Sequence, residues 1–112
     1  MSTIPLVSDE AMTPAALLER INSGDAPAVL DVRSPAEFAE GHVPGAVNVP
    51  FTRVIAGSDV RAPKSETVVV YCGHGPRAWL AARALRRRGY ERVVHLRGHM
   101  AAWRRAGLCE ER

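Results

Sequence analysis

The residues best suited to chemistry in this chain lie in one short segment, Cys72–Ala78, with the sequence Cys-Gly-His-Gly-Pro-Arg-Ala. A β-branched run precedes the cysteine and helix-forming residues follow the arginine, which predicts a strand, a tight turn and a helix N-terminus. The backbone N–H groups of such a turn converge on one point, where the helix dipole adds partial positive charge. A cysteine sulfur at that point is favoured as thiolate, its reactive form. The segment therefore predicts a site for anionic sulfur chemistry with Cys72 as the catalytic nucleophile.

The elements that must position this segment alternate along the chain. Cap residues, prolines, glycine stops and 3.6-residue periodicity predict helices over 14–21, 36–40, 78–88 and 100–106. Apolar runs predict strands over 28–32, 46–49, 67–71 and 92–96, with 51–65 as loop around one helical turn. Such apolar strands between helices favour an α/β fold, a mainly parallel sheet covered on both faces. Ligands of these sheets bind beyond the carboxyl ends of the strands, where Cys72 stands.

Length and composition predict one globular domain over residues 1–112. A hydrophobic fraction of 46% and a charged fraction of 24% are ordinary for a chain that needs no disulfide or metal to fold. The two cysteines, Cys72 and Cys109, lack metal-ligand spacing, and Met1–Pro5 does not resemble the start of a signal peptide. We therefore expect a reducing, cytoplasmic location. No membrane contact is expected, because no apolar stretch approaches the ~20 residues of a membrane span.

The net charge of +3 comes from arginines concentrated in the second half of the chain. A solvated basic helix face is the usual meaning of such a cluster, and attraction of an anionic substrate or acidic partner is the alternative. No aromatic stacking platform accompanies the arginines, so we expect no nucleic-acid binding. No cofactor and no metal are expected, because the sequence lacks a glycine-rich nucleotide fingerprint and a ligand cluster.

Four segments in order resemble the single-domain rhodanese family of sulfurtransferases. They are Leu30–Arg33 with Glu37–Phe38, Gly41–Pro50, Cys72–Arg77, and Leu96–Gly98 with Trp103 and Gly107. The resemblance covers the chain over about residues 13–107, which it implies to be the core of the domain. It implies a five-stranded, mainly parallel sheet with helices on both faces. It also implies transfer of a sulfane sulfur from a small anionic donor, thiosulfate or a persulfide, to a thiol or cyanide acceptor through a persulfide on Cys72. The alternative is a relay or binding module that passes sulfur to a protein partner without small-molecule turnover.

Within this resemblance, each candidate site residue has an expected role. Backbone N–H groups are expected to bind the anionic persulfide at Gly73, His74, Gly75, Arg77 and Ala78. Because the helix dipole disfavours a cation at a helix N-terminus, the Arg77 side chain is expected to have a use. It would bind the sulfonate oxygens of the donor or a backbone carbonyl that braces the loop. The His74 side chain either faces the substrate or is exposed without a role.

Several residues outside the loop are expected to support it and not to react. Asp31, Arg33 and His42 are expected to form a hydrogen-bonded brace between neighbouring segments, and Glu37 either braces or is solvated. Trp79 and Trp103 are expected to pack between helix and sheet, and a wall near the pocket is an additional role for Trp103.

The length of the loop favours sulfur over phosphate as the bound group. Four residues separate Cys72 from Arg77, whereas related folds that act on phosphate esters have five, and a shorter loop makes a smaller cradle. A phosphatase or arsenate reductase is therefore the less favoured function. Pro76 has no N–H, so it either leaves the cradle one donor short or simply begins the helix.

Two further positions leave alternatives open. The family usually has two glycines where this chain has Gly98–His99, so His99 either narrows the pocket or is a surface residue at a helix start. Cys109 is expected to be inert, with a resolving thiol as the alternative.

Overall fold

The computed structural model describes residues 10–112, so the expectation for Met1–Pro5 lies outside the described residues. The strands are β1 (Ala11–Met12), β2 (Ala28–Asp31), β3 (Val47–Asn48), β4 (Thr67–Tyr71) and β5 (Arg92–Leu96). The helices are α1 (Pro14–Asn22), α2 (Pro35–Glu40), α3 (Phe51–Ile55), α4 (Pro76–Arg87) and α5 (His99–Arg105). The sheet has the order β1-β5-β4-β2-β3, and all four neighbouring pairs are parallel. The predicted five-stranded parallel sheet is thus confirmed.

Alternation along the central strand β4 builds a separate core on each face of the sheet. Successive strand side chains point to opposite faces. Val68, Val70 and Cys72 join a buried cluster with α3 and α4, whereas Val69 and Tyr71 join a second cluster with α1 and α5. The predicted covering of both faces is confirmed, and the cysteine belongs to the α4 side.

Helix α2 begins with a capping box that fixes a carboxylate. The Ser34 hydroxyl accepts a hydrogen bond from the Glu37 N–H, and the Glu37 carboxylate accepts one from the Ser34 N–H at 3.1 Å. This exchange satisfies backbone donors that a helix N-terminus leaves without partners. It also holds the Glu37 side chain at the start of the helix, close to the cysteine loop.

The segment after α5 returns to the end of α2. His42 and Glu111 form an antiparallel bridge with two backbone hydrogen bonds of 2.9 Å. The Glu111 carboxylate also accepts a hydrogen bond from the N–H of Gly45 at 2.8 Å. The last residues of the chain are therefore tied to the turn that precedes β3.

Element boundaries differ from the sequence-based predictions in a few places. Helix α4 begins at Pro76, two residues earlier than predicted, because proline suits the first helical position, where no N–H is required. Strand β3 is shorter than predicted, and β1 was not predicted, since two residues are too few to show alternation. The predicted packing of Trp103 is confirmed, because this residue is fully buried. The predicted packing of Trp79 is wrong, because Trp79 is 46% exposed and the Arg83 guanidinium lies 5.6 Å from its ring centroid.

The longest helix, α4, has 12 residues. Within residues 10–112, no helix has the length and apolar character required to cross a membrane.

Candidate active site

The cysteine loop connects the carboxyl end of β4 to the N-terminus of α4. Cys72 is 1% exposed, and its sulfur accepts a hydrogen bond from the N–H of Gly75 at 3.0 Å. Gly75 has φ +136°, a backbone conformation that side chains disfavour, which explains the glycine. The loop therefore aims at least one N–H group at the sulfur.

The other predicted donors make no hydrogen bond to the sulfur in the part of the chain that the structure describes. Within residues 10–112, the structure has no hydrogen bond to the Cys72 sulfur from Gly73, His74, Arg77 or Ala78. Pro76 begins α4 and has no N–H to offer. The roles of these positions toward a persulfide stay predictions.

Helix α5 fixes the beginning of the loop through the backbone. The N–H of Met100 donates to the Cys72 carbonyl at 2.9 Å, and that of Ala101 donates to the Gly73 carbonyl at 3.2 Å. In the other direction, the N–H of Cys72 donates to Nδ1 of His99 at 3.2 Å. The cysteine backbone is thus hydrogen-bonded at both its N–H and its carbonyl to one short stretch of chain.

His99 is buried against the loop, so the surface alternative for this residue is wrong. It is 9% exposed, and its Nε2 lies 3.4 Å from the position that a Cβ on Gly75 would occupy. Its backbone has φ +58°, an uncommon value for a residue with a side chain. This backbone turn brings the ring beneath the loop, where the sequence alone could not place it.

The imidazole of His99 is neutral at pH 7. Burial, followed by the nearby His95 and His74, lowers its pKa to about 4. With Nδ1 accepting the N–H of Cys72, the remaining proton lies on Nε2. The loop is therefore held at this end by an uncharged hydrogen-bond acceptor.

The other end of the loop is held by an ion pair. Arg77 donates from Nη1 to Oε1 of Glu37 at 2.7 Å and from Nη2 to Oε2 at 3.1 Å, a two-point contact. Arg77 lowers the pKa of Glu37 to about 2, with help from the hydrogen bonds of Ser34, and Glu37 raises the pKa of Arg77. The Arg77 side chain thus meets a carboxylate instead of a backbone carbonyl, one of its two predicted partners, and binding of the sulfonate oxygens of a donor stays a prediction. Glu37 contacts the loop residue directly, which fits the bracing alternative.

A buried polar network lies next to the cysteine on the opposite face of the sheet. Arg33 donates to the Asp31 carboxylate at 2.8 Å and to the carbonyl of Gly41 at 2.8 Å, and both charged residues are almost fully buried. The hydroxyl of Tyr71 accepts a hydrogen bond from the N–H of Val43 at 3.1 Å, and burial raises the pKa of Tyr71. The network joins β2, β4 and the turn after α2, as the predicted brace would. Tyr71 was not among the predicted supporting residues, although a single tyrosine at the end of a run of β-branched residues was a signal that could have identified it.

Within residues 10–112, the His42 ring makes no hydrogen bond to Asp31 or Arg33, its partners in the predicted brace. Its ring stacks on Phe38 with the centroids 3.6 Å apart, and its Nδ1 lies 2.8 Å from the Phe38 carbonyl. Its contacts therefore join α2 to the end of the chain.

The remaining candidates lie around the site. His74 is exposed at the loop surface, and Cys109 is exposed beyond the C-terminal end of α5, whereas the loop contacts the N-terminal end of that helix. In the part of the chain from residue 10 onward, no group of three or more His, Cys, Asp or Glu side chains is placed to hold a metal.

A cavity of about 520 Å³ lies against the outer side of the loop. Its walls include Gly75, Pro76, Trp79, His95 and His99. Trp79 therefore lines the approach to the loop instead of packing on the sheet, and His99 separates this cavity from the Cys72 backbone.

Comparison with known proteins places this geometry in context. The family model of the Rhodanese-like domain matches residues 13–106. A sulfurtransferase of Allochromatium vinosum is 39% identical over 93 residues, 82% of this chain and 85% of that protein. The probable adenylyltransferase/sulfurtransferase MoeZ of Mycobacterium tuberculosis is 34% identical over 93 residues, but this stretch covers only 24% of that protein. Among solved structures, the Alr3790 protein of Anabaena sp. matches with a TM-score of 0.80 and 29% identity, over 89% of this chain and 90% of that one.

Proposed function

Because the chain belongs to the rhodanese-like domain family, we propose that it is a sulfurtransferase that carries sulfane sulfur as a persulfide on Cys72. Family membership also confirms the resemblance that the four sequence segments carried. The observation that carries the mechanism is the position of the Cys72 sulfur, at the carboxyl end of β4 and 3.0 Å from the N–H of Gly75.

The proposed reaction has two half-reactions. The Cys72 thiolate attacks the outer sulfur of a donor such as thiosulfate, a new S–S bond forms, and the donor S–S bond breaks. The bonding electron pair leaves with sulfite, and Cys72 becomes an anionic persulfide. An acceptor thiolate or cyanide then attacks the outer sulfur of this persulfide, and the Cys72 thiolate returns. Charge and atoms balance in each half-reaction, and no electron donor is needed.

The loop suits this chemistry because negative charge stays on sulfur throughout. The Gly75 N–H and the N-terminus of α4 present partial positive charge to the sulfur at each stage. The hydrogen bonds from the loop to α5 hold the Cys72 backbone in place, so the sulfur needs no reorganisation between the two steps.

The acceptor class is the second part of the proposal. A small thiol or cyanide would reach the persulfide directly, and a protein acceptor would dock over the loop and the exposed Trp79. A similar protein of Bacillus subtilis is named a putative sulfur carrier protein, which supports a protein acceptor as the alternative to small thiols. A reducing compartment such as the cytoplasm would keep Cys72 available as thiol.

Intact mass spectrometry after donor exposure tests the proposal. Wild-type protein incubated with thiosulfate or a small persulfide should gain about 32 Da, one sulfur atom, and lose it when cyanide is added. Cys72→Ser should gain nothing, and Cys109→Ala, which alters the exposed cysteine, should behave as wild type. A wild type that takes no sulfur from either donor would overturn the proposal. Efficient loading with slow release to small acceptors would instead favour the relay alternative.

A further inference from the structure

The ion pair at the end of the loop neutralises a cation that could otherwise attract the donor. Both Nη atoms of Arg77 donate to the Glu37 carboxylate, at 2.7 and 3.1 Å. Glu37 is in turn fixed by the Ser34 N–H and hydroxyl, at 3.1 and 3.0 Å. The carboxylate is therefore rigidly held and stays ionised at neutral pH, since its pKa is lowered to about 2.

The guanidinium that binds this carboxylate lies close to the loop backbone next to Cys72, and the carboxylate is one hydrogen bond farther out. The Nη2 atom that binds Glu37 is 3.4 Å from the position that a Cβ on Gly73 would occupy, directly after Cys72. The side chains of Arg77 and Glu37 are about one-third exposed, so the pair faces solvent at the loop and is not sealed in the core. An approaching donor thus meets a paired cation and a fixed negative charge.

Resting on the proposed function, we infer that Glu37 sets the donor specificity: it disfavours dianionic thiosulfate relative to donors with one negative charge, such as small persulfides. The physical reason is that each additional negative charge on the donor is repelled by the carboxylate, while the paired guanidinium offers little net attraction. Glu37 is a specificity-determining residue in this view, although it does not contact the reacting sulfur atoms.

Two donors of similar shape isolate the effect of charge. Thiosulfate carries two negative charges, and methanethiosulfonate carries one, because a methyl group replaces one sulfonate oxygen. Each gives its outer sulfur to the Cys72 thiolate with cleavage of one S–S bond, and the electron pair leaves with sulfite in the first case and methanesulfinate in the second. The ratio of kcat/KM for thiosulfate to that for methanethiosulfonate therefore reports charge selection and cancels general damage to the loop.

Glu37→Gln is the principal variant, because glutamine can still cap α2 and still accept a hydrogen bond from Arg77. We expect the thiosulfate to methanethiosulfonate ratio to rise by about three- to tenfold, the size of one charge–charge interaction at a half-exposed site. Arg77→Gln leaves the carboxylate without its cation and should lower the same ratio by about three- to tenfold. Glu40→Gln, an exposed carboxylate on the same helix, should change the ratio by less than about 1.5-fold.

The outcomes separate this inference from the proposed function. Opposite changes in Glu37→Gln and Arg77→Gln support the inference, and they rest on two variants whose folding can be checked independently by circular dichroism. Sulfur transfer with an unchanged ratio in the folded variants, or with a change equal to that of Glu40→Gln, overturns the inference alone. Failure of wild-type Cys72 to take sulfur from either donor overturns the proposed function, and the inference with it.

Discussion

The two ends of the cysteine loop are held by opposite kinds of interaction. At its beginning, the N–H of Cys72 meets the neutral, buried ring of His99, and the N-terminus of α5 binds the Cys72 and Gly73 carbonyls. At its end, Arg77 meets the ionised Glu37 in a pair that is about one-third exposed. The same loop is thus held by a neutral, buried contact on one side and by a charged, partly exposed contact on the other.

This difference separates the placement of the sulfur from the choice of its donor. A buried hydrogen bond is costly to lose, because the N–H left behind has no water to bind. A half-exposed ion pair contributes little to stability, because water and salt screen both charges. The neutral end therefore fixes position, and the charged end modulates which anions approach.

The largest effect on stability should come from removing the acceptor at the neutral end. His99→Leu leaves the Cys72 N–H buried without a partner and places a branched side chain at φ +58°. We expect the free energy of unfolding to fall by about 3 kcal/mol, measured by urea denaturation.

His99→Asn is the matched control for this change. Its amide oxygen occupies the place of Nδ1, and asparagine tolerates positive φ. It should lose less than half as much stability as the leucine variant. Equal losses in the two variants would show that the hydrogen bond to Cys72 does not contribute as proposed.

A second, smaller effect should appear on acidification. The fold holds the pKa of His99 at about 4, below the ordinary value of 6.5, so the unfolded chain binds a proton more readily between these values. The corresponding stability is fully present above pH 6.5 and is lost as pH falls through about 4. Compared with His99→Asn, wild type should lose about 2 kcal/mol more unfolding free energy between pH 7 and pH 4. Parallel pH profiles for the two proteins would contradict this assignment.

The smallest effect on stability should come from the charged end. Glu37→Gln and Arg77→Gln should each cost under about 1 kcal/mol, and their double-mutant coupling should shrink as salt is raised. A coupling energy of more than about 2 kcal/mol that does not depend on salt would mean that the ion pair stabilises the fold as strongly as the hydrogen bond at the neutral end.

Much of the fold was predictable because its signals are local. The β-branched run before Cys72 and the glycines and proline after it placed the loop between a strand and a helix, and Ser34 with Pro35 marked the start of α2. These features depend on backbone preferences of neighbouring residues, which one sequence displays directly.

The contacts that hold the loop were less predictable because they join residues far apart in the chain. Arg77 and Glu37 are 40 positions apart, and Cys72 and His99 are 27 apart. The inward turn of His99 also depends on a positive φ that nothing in its local sequence requires. Trp79 was misassigned because its helix carries small apolar residues on the buried face, which leaves the large ring outside.

The bridge between Glu111 and His42 has a consequence for how this domain would work when joined to another. A partner fused after Arg112 would emerge beside the end of α2, the helix that carries Glu37. A short flexible tether leaving there would keep the partner at an effective concentration of about millimolar near the loop. Its own surface charge would then add to the field that the donor encounters, so fusion alone would be able to retune the anion preference of the domain.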